Sequence, residues 1–250
     1  MRNIRVGVLA LFALMLSVGC ASEQAQEEVT DDGDALKSLP SVYCSAAAQE
    51  ASVSDCVLPD SLMNSSRTFF AENPFLYEMR GGHKNFSTTI GYYEHSLDKD
   101  LKVSSAKFID AITTTPPKEL WNDSSSYEMT YDRNTGKIYS KSDVHPPIAK
   151  GMVFVLRLKL APLIFIPVAF EIVELNPAQG RFAFSYVIQN KSQGIQRLSF
   201  NDTATGSHVL HETRYLSGAD FRDRHLYVPF HEKLVSEFYE VMDKRLRAAQ

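Results

Sequence analysis

Five runs between positions 152 and 216 carry strand-type patterning: Met152 to Leu160, Leu163 to Leu175, Gly180 to Gln189, Gly194 to Asn201 and Ser207 to Leu216. Short turns separate them, at Ala161-Pro162, Asn176 to Gly180, Asn190 to Gly194 and Asp202 to Gly206. Parallel strands need long crossovers, so connections this short predict an antiparallel meander. In the third run Phe182, Phe184, Tyr186 and Ile188 alternate with Arg181, Ala183, Ser185 and Gln189, which turns one aromatic face inward. Pro167 cannot donate to a ladder and marks an edge position or a bulge in the second run.

Helical periodicity brackets these strands. Leu234, Val235, Phe238, Val241, Met242 and Leu246 recur at three- and four-residue spacing, and Pro229 suits a first helical turn. The pattern predicts one amphipathic helix over 229–248, about 30 Å long. Ser104 to Ile112, with Ala106, Phe108, Ile109 and Ile112 on one side, predicts a short helix ended before Pro116-Pro117. A third, over Ser61 to Ala71, is capped by Asp60 and stopped at Asn73-Pro74. The long C-terminal stripe finds burial across the concave face of a curved antiparallel sheet. The expected class is therefore α+β.

The N-terminus is patterned differently. Arg2 and Arg5 precede an apolar run from Val6 to Leu16. At about 11 residues it has the length of a signal-peptide core and is too short to span a bilayer. Ser17-Val18-Gly19-Cys20 follows and resembles the lipobox of bacterial lipoproteins, with Ser17 where that family usually has Leu. The resemblance implies that residues 1–19 are removed and that Cys20 carries lipid. Ala21 behind it implies sorting to the outer membrane. Residues 21–38 are acidic and nearly free of large apolar groups, the composition of a tether. Domain expectations follow: signal 1–19, lipidated cysteine and tether 20–38, an extension 39–84, and a folded domain 85–250.

Composition narrows the picture. The chain has three cysteines. With Cys20 lipidated in an oxidising compartment, Cys44 and Cys56 read as one disulfide, contributing about 2–3 kcal/mol. About 210 residues remain for the folded part, enough for one domain with a sizeable core. The net charge of −4 includes the acidic tether, no basic stripe appears, and export excludes nucleic acid as a partner. The 15 Phe and 11 Tyr suffice to line a large apolar interior.

The predicted order of elements resembles the helix-grip plan of the START and Bet v 1-like superfamily. A narrower resemblance rests on Gly91-Tyr92-Tyr93-Glu94-His95, then Phe108-Ile109-Asp110-Ala111-Ile112, Leu120-Trp121, Arg181-Phe182-Ala183-Phe184-Ser185-Tyr186, Gly194 and Phe200. This series is similar to the DUF1990 (UPF0548) family over about residues 85–245. Ala183 stands where that family often has Gly, and its His-Pro between the next strands is absent. The family has no settled activity, so the resemblance implies a fold.

Candidate chemistry is sparse. None of the seven histidines has metal-ligand spacing: His208 and His211 face opposite ways on a strand, and His225 and His231 straddle Pro229. No nucleophile elbow and no phosphate loop is present, so no cofactor, metal or catalytic residue is assigned. Glu171 either faces solvent or, if inward, needs a partner such as Arg157. Tyr93 and His95 share a strand face and either hydrogen-bond a ligand or brace the sheet edge. Phe170, Phe184, Tyr186, His211 and Tyr215 line a cavity or pack as plain core. The function expected is a membrane-anchored binder of a lipid or other hydrophobic molecule, in preference to an enzyme. The alternatives are a cyclase- or hydrolase-like acid–base site on Tyr93, His95 or His211, and an interaction lipoprotein with a solid core.

Overall fold

The computed structural model describes residues 82–121, 125–161, 164–187 and 192–249. The lipobox and Cys20, the Cys44–Cys56 pair, the tether and the helix expected over 61–71 lie outside these residues.

Eight strands form one antiparallel sheet: β1 (Tyr93–Leu101), β2 (Ser125–Asp132), β3 (Lys137–Ser140), β4 (Met152–Ala161), β5 (Ile164–Asn176), β6 (Arg181–Tyr186), β7 (Gln193–Thr203) and β8 (Gly206–Leu216). The order across the sheet is β1-β8-β7-β6-β5-β4-β2-β3. From β4 to β8 every neighbour in sequence is a neighbour in space, the meander that short turns dictate. β1 instead lies beside β8. Two helices, α1 (Ser105–Thr114) and α2 (Pro117–Leu120), carry the chain from that edge to β2 near the other. Register shifts between Tyr127 and Met129, Lys159 and Ala161, and Ile172 and Glu174 are bulges that bend the sheet.

β5 is flanked by β4 and β6, yet Pro167 fits there. Its partner in β4 is Arg157, while pairing with β6 covers only Phe170 to Asn176. Pro167 thus sits where β5 has a ladder neighbour on one side among the described residues, a local edge.

α1 starts at Ser104, whose side chain accepts from the Lys107 N–H at 3.4 Å, and ends ahead of Pro116. It buries Phe108, Ile109 and Ala111. The C-terminal helix begins at Asp220, widens into a π-helical stretch over Arg222–Tyr227, and continues as α3 (Val228–Ala248). Pro229 explains the widening. Inside a continuous helix it lacks an N–H, and its ring collides with the carbonyl four residues back, at His225. A π-turn ahead of it relieves the clash.

α3 lies along β1 and α1. The Lys102 N–H donates to Asp243 at 2.6 Å, Lys99 pairs with Glu240 at 2.7 Å, and Lys107 donates to the Leu246 carbonyl at 2.8 Å. Between helix and sheet Phe108, Phe154, Phe200, Tyr239 and Met242 are buried. Each such side chain stabilises the fold by about 1.5–3 kcal/mol. This curved antiparallel sheet around a long C-terminal helix is the α+β helix-grip arrangement.

The other face of the sheet is buried too. Val153, Val155, Ala169, Val173, Ala183 and Ile195 are all less than 5% exposed. Residues 82–90 lie against part of it. Gly82 packs on Ser185 and the Tyr186 carbonyl so closely that a Cβ would stand 2.2 Å from either. The Phe86 ring lies 4.3 Å from the Arg197 guanidinium.

Candidate functional site

The site is built in rows across the concave face. Strand register sets His95 of β1 opposite Thr213 of β8, Thr213 opposite Gln196 of β7, and Gln196 opposite Phe184 of β6. One row along, Leu97, His211, Leu198 and Phe182 align in the same way. In the row on the other side, Tyr93 and Tyr215 are opposite each other, and Gly194 faces Tyr215.

Gly194 has φ +135, and a Cβ there would stand 1.9 Å from the Arg214 carbonyl oxygen. Only glycine suits such a backbone. Tyr227, held in the π-turn, bridges Tyr215 and Tyr186. Its ring stacks on Tyr215 at 3.6 Å and 9°, and its hydroxyl meets that of Tyr186 at 3.2 Å. The Tyr215 hydroxyl donates to the Asp223 carbonyl at 2.9 Å, tying the π-turn to β8.

Over these rows α3 lays His231, Val235, Phe238 and Tyr239. A continuous hydrogen-bonded chain results. The Gln196 amide donates to the Tyr186 hydroxyl at 2.9 Å, which orients its carbonyl toward the histidines. That carbonyl accepts from His211 Nε2 at 2.7 Å and from His231 Nε2 at 3.0 Å. A carbonyl can only accept, so both rings are assigned the Nε2–H tautomer. His211 Nδ1 then accepts the Tyr239 hydroxyl proton at 3.1 Å. The two histidine rings meet edge-on at 5.2 Å, and His95 approaches His231 edge-on at 6.0 Å.

Burial decides the protonation states. Desolvation pushes His231 down to about 3 and His211 well below the ordinary imidazole range, with the neighbouring histidines adding to it. Both rings are neutral. The same burial raises the hydroxyls of Tyr186, Tyr227 and Tyr239. Three buried polar atoms of the cluster stay without a hydrogen bond: His231 Nδ1, Thr213 Oγ1 and His95 Nε2, the last 3.5 Å from Glu232 Oε1.

An apolar wall continues from this polar end. Phe184 meets His211 at 6.0 Å and Phe170 at 5.0 Å, and Trp121 meets Phe170 at 6.0 Å and Phe238 at 5.3 Å. Trp121, Phe184, Val168, Leu158, Val235 and Phe238 all pack on the core while only partly buried. Trp121 keeps its buried indole N–H without an acceptor. The concave face therefore passes from half-covered aromatic wall to buried neutral polar cluster within a few ring widths.

The expected site residues separate into three groups. His95, His211 and Tyr186 join the polar cluster, and Phe170 and Phe184 form its apolar continuation. Tyr215 is buried under Tyr227, supporting the π-turn. Tyr93 stacks on Tyr215 at 5.7 Å and donates to the exposed Asp220, outside the cluster. Sequence reasoning missed Gln196, Tyr227, His231 and Tyr239. Position 231 shares a helix face with 235, 238 and 242, so helical periodicity held the signal for His231 and Tyr239. Gln196 had none.

An Arg157–Glu171 pair does not form, and Glu171 is not solvated. Glu171 is opposite Val153, and Arg157 is opposite Pro167, four positions further along. Glu171 is buried on the outer face with Lys84 at 2.9 Å and Arg133 at 3.3 Å. Arg157 lies 3.7 Å from the fully buried Glu128, which also takes Lys141 at 3.3 Å. Among the described residues no cluster of three or more His, Cys, Asp or Glu has metal-binding geometry.

No protein-family model matches the chain, and no curated protein matches it. Among solved structures, the KanY protein aligns over 63% of this chain and 99% of its own at 13% identity, TM-score 0.45. Ara h 8.0201 aligns over the same shares at 12% identity and TM-score 0.43. The TTHA0849 protein of Thermus thermophilus does so at 13% identity and TM-score 0.48.

Proposed function

We propose that this chain is an exported lipoprotein, anchored in the bacterial outer membrane through lipid on Cys20, that holds a hydrophobic small molecule or lipid between its sheet and α3. The observation that supports the binding reading best is the half-buried wall of Trp121, Phe184, Val168 and Phe238 leading to a buried polar cluster. Concave apolar surfaces with a few convergent polar groups are the usual form of small-molecule sites. The apolar run at Val6 to Leu16 and the lipobox-like Ser17 to Cys20 support the anchor, and the DUF1990-like motifs fit the same reading.

Native mass spectrometry of the purified protein tests it, with lipid extraction of the same sample. A bound mass that leaves on denaturation, and an unfolding midpoint that rises when the extract is added back, is the expected result. An apolar interior that accepts no added amphiphile would end the binding reading. For the anchor, metabolic labelling with a fatty-acid analogue should mark the wild-type chain and leave Cys20→Ser unlabelled.

A second reading is acid–base catalysis on a bound ligand, favoured by the neutral imidazole of His231 with its free Nδ1. It predicts that His231→Gln abolishes turnover of a ligand it still binds. Recovery of every bound ligand unchanged would count against it.

A further inference from the structure

The polar end of the site has a charge character that the hydrophobic wall does not fix, and it bears on the ligand's head group. Among the described residues, the side chains that hydrogen-bond to the His211–His231 pair or meet it ring to ring are Gln196, Tyr239, Phe184, Tyr227 and His95. None is Lys or Arg. A carboxylate does approach the cluster: Glu232 Oε1 lies 3.5 Å from His95 Nε2. Burial keeps His211 and His231 uncharged, so neither supplies a cation. A buried anion without a cationic partner is costly, and a neighbouring carboxylate adds repulsion.

Two atoms define what fits instead, the third open one, His95 Nε2, being turned to Glu232 at 3.5 Å. With Nε2–H committed to Gln196, His231 Nδ1 is a bare acceptor, and it is buried without a partner. Thr213 Oγ1, in the row between His95 and Gln196, is buried without one as well and can both donate and accept. A hydroxyl that gives its proton to His231 Nδ1 and takes one from Thr213 Oγ1 satisfies both. An ester or ketone oxygen could satisfy only the threonine. Phe184, Phe170 and Trp121 then receive the apolar body.

We infer that the site selects uncharged amphiphiles whose head group donates a hydrogen bond, long-chain or ring-bearing alcohols, over fatty carboxylates. The inference rests on the binding reading above and sharpens its ligand class. Calorimetric titration of the purified protein with decanol, methyl decanoate and decanoate at neutral pH tests it. Decanol should bind at least about tenfold more tightly than decanoate, with the ester between. Decanoate binding as tightly as decanol overturns the inference and leaves the binding reading intact. Failure of all three to bind removes the binding reading and the inference together. His231→Leu should bring the decanol and ester affinities together, and Thr213→Val, close in shape, should weaken both. A decanol preference unchanged in both variants overturns the assignment of these two atoms.

Discussion

The sheet buries polar side chains on both of its faces, and the two sets differ in kind. On the outer face the groups are charged: Glu171 lies with Lys84 and Arg133, and Glu128 with Arg157 and Lys141. On the inner face they are neutral: two histidines, a glutamine and three tyrosines joined by hydrogen bonds. Ion pairs of mixed side chains neutralise one another and fasten strands and residues 82–90 together. The inner cluster fastens α3 to β7 and β8, but it leaves His231 Nδ1 and Thr213 Oγ1 unengaged. Buried polar groups are normally paired. Buried atoms without a hydrogen bond occur on both faces, Arg197 Nε on the outer one, but those of the inner face lie beside the half-covered aromatic wall, and on the proposed reading that is the side a ligand meets.

Breaking the outer set should cost most. Glu171→Leu takes the carboxylate away from beside the buried Arg133 guanidinium, and removing one partner of such a pair costs about 3–5 kcal/mol. Chemical denaturation should show that loss, while decanol affinity stays near wild type if the faces act independently.

Acid should strike the inner set next. Folded His211 and His231 titrate below their unfolded value, so between the unfolded value of about 6.5 and their folded values the unfolded state binds more protons. Stability therefore falls as pH drops below about 6.5, with a slope approaching 1.4 kcal/mol per pH unit for each ring, roughly. For His231 the fall continues to about pH 3. In His231→Leu, unfolding midpoints measured from pH 7 to pH 5 should fall less steeply than in wild type.

Tyr239→Phe removes the hydroxyl that meets His211 Nδ1, a loss of about 1 kcal/mol in denaturant unfolding. The smallest effect belongs to Asp220, exposed and paired with Arg224 and Tyr93 outside both clusters. Asp220→Asn should leave the midpoint and decanol binding where they were.

Legibility in the sequence followed patterning. The runs predicted as strands from 152 to 216 each match one of β4 to β8 to within a few residues, and the helix expected over 229–248 spans 228–248. Alternation and turn residues are local properties, so they survive without tertiary knowledge. β2 and β3 escaped because Ser125-Ser126 and Glu128 break the apolar alternation, and the burial of Glu128 beside Lys141 and Arg157 is a tertiary property. The π-turn was equally hidden. Pro229 reads as a helix start, and only a helix already running at Asp220 makes it a disturbance. The site was half legible. Aromatic residues of β6 announced an inward face, whereas Gln196 gains its role from contact with residues 10 and 35 positions away.

Trp121 is the chain's single tryptophan and stands in the apolar wall against Phe170 and Phe238. Its emission therefore reports directly on whether anything enters between sheet and helix. Titration with decanol should shift that emission to shorter wavelength and saturate at one equivalent per chain. An emission spectrum unchanged by decanol and every other amphiphile offered would contradict a ligand site on the concave face.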